Sequence, residues 1–297
     1  TVKGNGEIES RDGVGLDLSL NRPDTVVLSD DGKSVVFTEW VSHRIRRYHL
    51  VDHQVSTITG TIGGFSQGGS KSTKFTWPLA MCLDPLHLTN FYIGDNTSIR
   101  YYDATTEMTS LVAGHADVGY VDGTVENARF NYVHGLMCHP DGKTLYVSDH
   151  GNRRIRKVDL RLRTVTTIAG GGQKETRDGM GLKSSIYMPR HLMFDRSPQF
   201  KPNQVLLITS YNAIRRFNIE TGMMTTLKLN VPLNPCAMDY PNHGEDHQLV
   251  VSCNDTYSVY RVNTTNGDDR RDWIRRMCRR TLGFGVIRFN YWFGHHS

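Results

Sequence analysis

The sequence predicts an all-β chain that is built from one repeated unit of four short antiparallel strands. An Ile-Arg or Val-Tyr run recurs five times, each time after two mostly apolar runs and, in the clearest copies, before a Thr/Val-rich run that ends in Gly. The aliphatic anchors of the recurring runs are 54, 56, 59 and 45 residues apart, and they are Ile45, Ile99, Ile155, Ile214 and Val259. Self-similarity at such a spacing is the signature of a repeat architecture.

The third unit shows the four strands most clearly. Its runs are "VHGLMC", "TLYVSD", "RIRKVD" and "TVTTIAG", and "PDG" at Pro140–Gly142 supplies a tight turn between the first two. The first two runs of the units are mostly apolar, as expected of strands that are covered on both faces. A single four-stranded unit cannot bury both of its faces alone. Successive units of this length therefore predict the blades of a β-propeller.

The two ends of the chain determine how many blades we expect. "TVKGNG" at the N-terminus resembles "TTIAGG" at the end of the third unit, so we expect it to be an outermost closing strand. Five clear repeats plus this strand predict six blades, with residues 1–267 forming the propeller. Residues 268–297 are basic and show an amphipathic helical pattern followed by one strand-like run. We expect this divergent segment to complete or flank the last blade.

The segment "DGTVENARFNYVHGLMCHPDGKTLYVSDHGNRRIRKVD" (Asp122 to Asp159) resembles a nearly complete NHL repeat. The resemblance covers roughly residues 4 to 265, strongly in the third unit and weakly in the fifth. It implies a propeller, most often one with six blades. It implies no single activity, because propellers host enzymes, receptors and RNA binders alike.

The composition excludes some classes of protein. The chain has 297 residues, 38% of them hydrophobic, and no run approaches the roughly 18 apolar residues of a membrane span. The net charge of +5 permits an anionic partner without requiring one. Its five cysteines include no CxxC pair, so we expect neither a disulfide framework nor a zinc cluster, but buried thiols.

The compartment is not predicted by the sequence. The N-terminus has neither Met nor a signal-peptide pattern, and the sequons at Asn96, Asn254 and Asn263 are compatible with a secreted or cell-surface location.

One base follows the aliphatic anchor in four of the five units, at Arg46, Arg100, Arg156 and Arg215. We call these four residues the arginine column. Side chains alternate along a strand, so each of them points away from its Ile. We expect them to be structural, because a guanidinium can stack on aromatic rings and pair with carboxylates of neighbouring strands. The candidate partners at the ends of the second strands are Glu39, Asp95 and Asp149.

The candidate binding residues belong to one face of the predicted propeller. The turns between second and third strands share that face with unusually long inter-blade links, where binding specificity tends to lie. Its aromatic side chains are amphipathic anchors, although they could equally fill gaps between blades. The candidate partner-binding residues are Trp40, Arg44, Trp77, Tyr120, Tyr132, His134, His150, Arg153, Arg154, Arg190, His191 and Tyr211. Tyr187 belongs to the same aromatic group.

A metal-dependent hydrolase or lyase is the alternative class. Such propellers gather ligands at the central channel, where this chain places Asp24, Leu79, His134, Arg190 and Cys236 at the starts of the inner strands. One acid and two histidines, counting His191, do not make a calcium or zinc site. We therefore expect no metal, no cofactor and no catalytic residue.

The sequence thus favours a non-catalytic recognition or scaffold propeller that binds a protein or peptide on the face of the long links. RNA binding is a third interpretation, which would need a continuous basic face. The C-terminal basic segment also allows contact with an anionic membrane surface. Nothing in the sequence predicts an oligomeric state.

Overall fold

The chain folds as an all-β propeller, which confirms the predicted architecture. The structure is a computed structural model that describes residues 8–229, 233–240, 248–253, 258–265 and 269–272. Across these residues, no helix has the length and apolar character needed to cross a membrane. Each blade is one antiparallel sheet, and the chain runs from the innermost strand outward.

The first two blades have five strands each. The strands of blade 1 are β1 (Gly13–Val14), β2 (Pro23–Leu28), β3 (Ser34–Glu39), β4 (Arg44–His49) and β5 (Gln54–Thr59). Those of blade 2 are β6 (Gly68–Gly69), β7 (Pro78–Leu83), β8 (Phe91–Asp95), β9 (Ser98–Asp103) and β10 (Met108–Gly114). The two-residue strand of each blade precedes the inner strand in sequence but pairs with the outermost long strand. The incoming link therefore crosses the outer edge of the blade before it enters the centre.

Blades 3 and 4 repeat this arrangement. The strands of blade 3 are β11 (Gly123–Thr124), β12 (Val133–Cys138), β13 (Thr144–Asp149), β14 (Arg154–Asp159) and β15 (Thr164–Ala169). Those of blade 4 are β16 (Gly179–Met180), β17 (Leu192–Phe194), β18 (Val205–Ser210), β19 (Ala213–Asn218) and β20 (Met223–Leu227). One 3-10 turn, Gly181–Lys183, lies in the link that enters blade 4.

Blade 5 has four strands in the described part of the chain. They are β21 (Pro235–Asp239), β22 (Gln248–Cys253), β23 (Ser258–Asn263) and β24 (Asp269–Asp272). The last of them pairs antiparallel with β23. Residues 269–272 belong to the segment with the amphipathic helical pattern, and in the structure they extend the sheet as a strand. The remainder of the amphipathic segment, residues 273–297, lies outside the described residues.

Two further expectations are corrected. The described residues form five blades and not six, because the chain after 267 continues the fifth sheet instead of beginning a new repeat. The proposed closing strand at residues 1–6 lies outside the described residues. Blades 1 to 4 have five strands and not four, because a two-residue strand is too short for its periodicity to show in the sequence.

The hydrophobic core lies in layers between neighbouring blades. Ile45 of blade 1 packs in one cluster with Phe91 and Ile93 of blade 2, and equivalent clusters join blades 2 to 3, 3 to 4 and 4 to 5. The inner strands β2, β7, β12 and β17 follow one another around the centre. Each sheet thus buries both faces only in the presence of its neighbours, as expected of repeats that stack.

A glycine ends the outermost long strand of blades 1 to 3 because the backbone there excludes a side chain. Gly60, Gly114 and Gly170 have φ between +88° and +97°. A Cβ at Gly60 would lie 2.3 Å from the carbonyl oxygen of His43. These glycines let the chain leave the strand beside the turn of the same blade and enter the next link.

A disulfide joins the inner strands of blades 2 and 3. Cys82 of β7 and Cys138 of β12 are bonded, with their Cα atoms 6.0 Å apart. The expectation that the cysteines are buried thiols is therefore wrong for this pair, whereas Cys236 and Cys253 are buried thiols. The two bonded residues are 56 residues apart, which is one repeat spacing. That spacing brings them to adjacent inner strands.

Reduction of this disulfide should lower the free energy of unfolding by roughly 2–4 kcal/mol, because the bond constrains a long loop of the unfolded chain. Urea titrations of the native protein, with and without a thiol reductant, measure the change. The double substitution Cys82→Ala/Cys138→Ala should show the same loss and no further effect of reductant. A reductant-sensitive stability in that double variant would contradict the assignment.

Candidate functional site

The arginine column is completely buried. Arg46, Arg100, Arg156 and Arg215 are each 0% exposed, on the third long strands of blades 1 to 4. In blade 3, Arg156 donates from Nε and Nη2 to Asp122 Oδ1 at 3.0 and 2.7 Å. Its Nη1 donates to Asp149 Oδ2 at 2.7 Å. One guanidinium thus lies between a carboxylate of the incoming link and a carboxylate of the second strand.

The same guanidinium also binds the backbone of the link. Arg156 donates to the carbonyl oxygens of Val121 at 2.8 Å and Arg129 at 3.0 Å. In blade 1, Arg46 pairs with Asp12 and Glu39, both at 2.9 Å. In blade 4, Arg215 pairs with Asp178 at 3.0 Å and donates to the carbonyl oxygen of Ser185 at 2.6 Å. Each arginine therefore attaches the link to the interior of its own blade.

The link carboxylates have a second role that the sequence did not reveal. Asp-Gly pairs such as those that contain Asp12, Asp122 and Asp178 are typical of tight turns. In the structure their glycines begin the two-residue outer strands, and their carboxylates accept hydrogen bonds from a threonine within the neighbouring long strand. Asp122 Oδ2 accepts from the backbone N–H of Thr167 at 3.0 Å, and Asp12 Oδ2 accepts from Thr57 at 2.9 Å.

Blade 2 departs from this pattern. Gln67 stands where the other links have Asp, and its side-chain oxygen accepts from the backbone N–H of Leu111 at 2.8 Å. Arg100 therefore has no link carboxylate. It donates to the carbonyl oxygen of Ser66, and its guanidinium lies 4.5 Å from the ring centroid of Phe65. Its Nε and Nη1 atoms have no hydrogen-bond partner among the described residues.

Asp95 is the second-strand carboxylate of blade 2. Its Oδ1 accepts from the backbone N–H groups of Thr76 at 2.7 Å and Trp77 at 2.8 Å, while Oδ2 has no hydrogen-bond partner in the described part of the chain. Of the three partners expected for the column, Glu39 and Asp149 thus bind their arginines directly. Burial raises the pKa of Asp95 to about 7, against the opposing effects of Arg100 and of the two N–H donors.

Five rings on the face of the long links form a continuous series of contacts, which we call the aromatic track: Trp40, Trp77, Tyr132, His134 and His150. The centroids of Trp40 and Trp77 are 6.5 Å apart, and those of Trp77 and Tyr132 are 6.0 Å apart, both edge-on. Tyr132 contacts His134 at 5.5 Å and His150 at 5.3 Å. The two histidines stack at 5.1 Å. The track thereby crosses blades 1, 2 and 3.

The buried carboxylates position the track. Asp95 binds the N–H of Trp77, and Asp149 binds the N–H of Asn131 at 2.8 Å, next to Tyr132. Tyr132 has φ of +65°, and its carbonyl oxygen accepts from the His150 N–H at 3.1 Å. The inner end of each link is therefore fixed by the acid that also faces the arginine column.

Blade 4 adds further aromatic side chains next to the track. His150 donates from Nδ1 to the carbonyl oxygen of Pro189 at 3.0 Å. The guanidinium of Arg153 lies 5.9 Å from the ring of Tyr187, which packs against Tyr211 at 5.3 Å. Trp77 is 39% exposed and Tyr211 is 46% exposed, so solvent reaches rings at separate points of this surface.

Two arginines lie over aromatic rings of this face, and a third, Arg190, binds the inner strand of blade 5. Arg22 lies 5.5 Å from the ring of Trp40, and Arg153 lies over Tyr187. Arg190 donates to Asn234 Oδ1 and Cys236 Sγ, both at 3.2 Å. Within the described ranges, none of the three forms an ion pair with a carboxylate. Sequence reasoning missed Arg22, although it directly precedes the inner strand, as Trp77 and Tyr132 do.

Other candidate residues lie away from the track. Tyr120 packs on the outer strands, with its ring 3.8 Å from the Arg154 guanidinium and 5.2 Å from that of Arg156. Arg44 donates to the carbonyl oxygen of Ser10 at 2.8 Å. His191 donates its backbone N–H to Thr209 Oγ1 at 2.9 Å, inside blade 4.

The starts of the inner strands contact one another around the centre. Thr25 of β2 donates from Oγ1 to the carbonyl oxygen of Leu79 in β7 at 2.6 Å, and Thr209 of the second strand β18 donates to that of Cys236 in β21 at 3.2 Å. Asp24, His134 and Arg190 lie at the corresponding positions of their blades. In the part of the chain that the structure describes, His, Cys, Asp and Glu side chains nowhere gather in a group of three that could hold a metal ion.

Fold and site together define a β-propeller with an aromatic surface on its link face. No protein-family model matches the chain. It is 25% identical over 242 residues to Protein SUPPRESSOR OF QUENCHING 1, chloroplastic, of Arabidopsis thaliana, a match of 76% of this chain and 22% of that protein. It is 27% identical over 136 residues to NHL repeat-containing protein 2 of Gallus gallus, covering 43% of this chain and 18% of that protein. The chain thus spans about a fifth of each relative.

Solved structures share the fold. A streptogramin B lyase aligns with a TM-score of 0.58 and 14% identity, covering 88% of this chain and 72% of that chain. A chain of a nidogen–laminin complex aligns with a TM-score of 0.57 and 16% identity, covering 83% of this chain and 78% of that chain. At these identities the likeness shows the fold alone.

Replacing Arg156 by Ala should lower the free energy of unfolding by about 3–5 kcal/mol, because Asp149 would be left buried without its cation. Lys157→Ala, which removes a half-buried lysine from the other face of the same strand, is the matched control and should change stability by less than about 0.5 kcal/mol. Urea unfolding measures both. Equal stabilities of the two variants would refute the structural role of the column.

Asp95→Asn should change the pH dependence of stability, because Asn keeps the acceptor for Thr76 and Trp77 but cannot ionise. The pKa of Asp95 is about 7 in the folded protein, against 3.8 for the unfolded chain. The stability that the wild type gains from the protonated carboxyl is therefore fully present below pH 3.8, and it is lost as the pH rises through about 7. The variant should therefore gain on wild type by up to about 1.4 kcal/mol per pH unit in this window. Urea melts at several pH values measure the difference.

Asp239, whose pKa burial also raises to about 7, is present in both proteins and cancels from the comparison. A difference between the variant and wild type that stays constant with pH would show that Asp95 is ionised throughout.

Proposed function

We propose that this chain is a recognition propeller of the NHL type that binds a peptide segment of a protein partner along the aromatic track. The observation that carries the proposal is the unbroken series of ring contacts from Trp40 to His150, with Arg22 over the ring of Trp40 and Arg153 over that of Tyr187. The repeat pattern and the similarity to part of an NHL repeat-containing protein support the assignment to that type.

The track has the properties of a protein-binding surface. Trp, Tyr and Arg dominate the binding energy of interfaces, since they combine large apolar area with a polar group. The rings already pack on each other and their backbones are fixed by buried carboxylates, so little conformational entropy remains to be lost on binding. An extended peptide could cross the blades in this direction with its side chains against the exposed parts of the rings.

The arginines favour acidic side chains in the partner. Arg22 and Arg153 each lie over a ring, and Arg190 lies two residues before the inner strand of blade 4, where its partners among the described residues, Asn234 and Cys236, are neutral. A guanidinium binds a carboxylate through two parallel N–H donors. The partner segment should therefore present Asp or Glu near both ends of the track and apolar groups between them.

The ring geometry argues against nucleic acid. Stacking of bases requires open ring faces. Trp40, Trp77 and Tyr132 instead meet edge-on at 89° and 76°, so that each covers part of its neighbour. Arg22 lies over Trp40 and Arg153 over Tyr187, at different rings of this face, and they do not form the continuous basic stripe that tracks a phosphate backbone.

Peptides selected from a random display library against the intact protein test the proposal. They should be enriched in Asp and Glu together with aliphatic or aromatic residues. Trp77→Ala should weaken the selected peptides by more than about tenfold, whereas Tyr120→Ala, a matched exposed ring away from the track, should not. Fluorescence anisotropy measures the affinities.

Single-stranded RNA and Lys/Arg-rich peptides of matched length serve as competitors in the same assay. Tighter binding of RNA, or a larger loss from Tyr120→Ala than from Trp77→Ala, would contradict the proposal.

A further inference from the structure

A separate cavity lies between blades 1 and 2, on their outer strands and away from the aromatic track. Its volume is about 710 Å³. That is within the range of small-molecule sites, roughly 300–1,000 Å³. Blade 1 contributes Arg44, Arg47 and Ser56, and blade 2 with its link contributes Lys71 and Tyr102.

The basic side chains of this cavity are not neutralised by the protein. Arg47 and Lys71 are exposed and form no ion pair with a carboxylate of the described residues. Arg44 donates to the carbonyl and hydroxyl oxygens of Ser10, both neutral acceptors, at 2.8 and 3.3 Å. All three cations thus keep their charge available to a ligand.

The acids of the cavity offset this charge only in part. Asp12 already pairs with Arg46 at 2.9 Å and accepts two hydrogen bonds from Thr57, both at 2.9 Å. Its charge is therefore compensated from within blade 1. Glu107 adds one negative charge on the side of blade 2. The remaining balance is positive.

The walls between these charges are mixed. Ser56 lies directly opposite Arg47 in the sheet, which brings a hydroxyl beside the guanidinium. Ile58, Ala104 and the ring of Tyr102 line the rest of the space. An anion with a compact carbon skeleton would meet cations at its charged groups and apolar surface elsewhere, a combination typical of ligand sites.

We propose that this cavity binds a small organic anion that carries more than one phosphate or carboxylate group. Arg47 and Ser56 approach it from blade 1, and Lys71 approaches it from the link that enters blade 2. Because the ligand contacts both blades, binding closes the outer seam between them. The site is independent of the peptide-binding track.

Isothermal titration of the intact chain with pyrophosphate and, separately, with citrate tests the proposal and distinguishes phosphate from carboxylate ligands. At least one of the two should bind with a stoichiometry of one. Arg47→Ala and Lys71→Ala should each weaken that probe by about tenfold, the value of a charge-assisted hydrogen bond. Glu107→Gln should strengthen it, because it removes the opposing charge.

Lys157→Ala is the matched control, since Lys157 occupies in blade 3 the strand position of Arg47. It should leave the affinity unchanged, and thermal unfolding should show that all variants remain folded. Absence of binding by both probes, or an equal loss from Lys157→Ala, would overturn the proposal. The peptide affinities of the track should be the same in every variant, so failure here would leave the function proposed above untouched.

Discussion

The first four blades depend on the hydrogen bonds and ion pairs of one fully buried arginine guanidinium in each blade. Removing the charge of an arginine from water is costly unless carboxylates and carbonyl oxygens surround it. Arg156 obtains these from Asp122, Asp149, Val121 and Arg129, which belong to the incoming link and the second strand. The link is therefore part of the blade interior. Because it is attached at the outer edge of the blade, its two-residue segment pairs there as a fifth strand.

Departures from this arrangement show what it contributes. Blade 2 lacks the link carboxylate, and Phe65 covers Arg100 instead. Blade 5 has Tyr260 at the column position, and a different polar network joins it to blade 4. There Arg216 pairs with Asp195 at 2.7 Å and also donates to the carbonyl oxygen of Thr264. The hydroxyl of Tyr240 donates to Asp195 at 2.9 Å. This network joins blades 4 and 5 through buried polar contacts, as the arginine column joins each link to its own blade.

The buried carboxylates hold the backbone of the link face in place. Asp95 holds the backbone of Trp77, and Asp149 holds the residue before Tyr132. A substitution in the column would therefore reach the aromatic track through one carboxylate. This coupling gives a physical reason why rings on long connections, which are usually the more mobile part of a fold, here form a fixed series of contacts from blade 1 to blade 3.

The sequence by itself determined the propeller, the position of most long strands and the separation of buried arginines from surface bases, because alternation along a strand and a spacing of about 55 residues are local properties. It also identified Trp40, Trp77, Tyr132, His134 and His150 as members of one face. It placed Tyr120 on that face as well, but in the structure this ring lies away from the track and packs against Arg154. Only the tertiary structure decided the number of blades, the bond between Cys82 and Cys138, the role of Asp122 as a partner of Arg156, and the order of contacts along the track. Each of these depends on which residues from different repeats meet, and distances across blades are not encoded in the pattern of any single repeat.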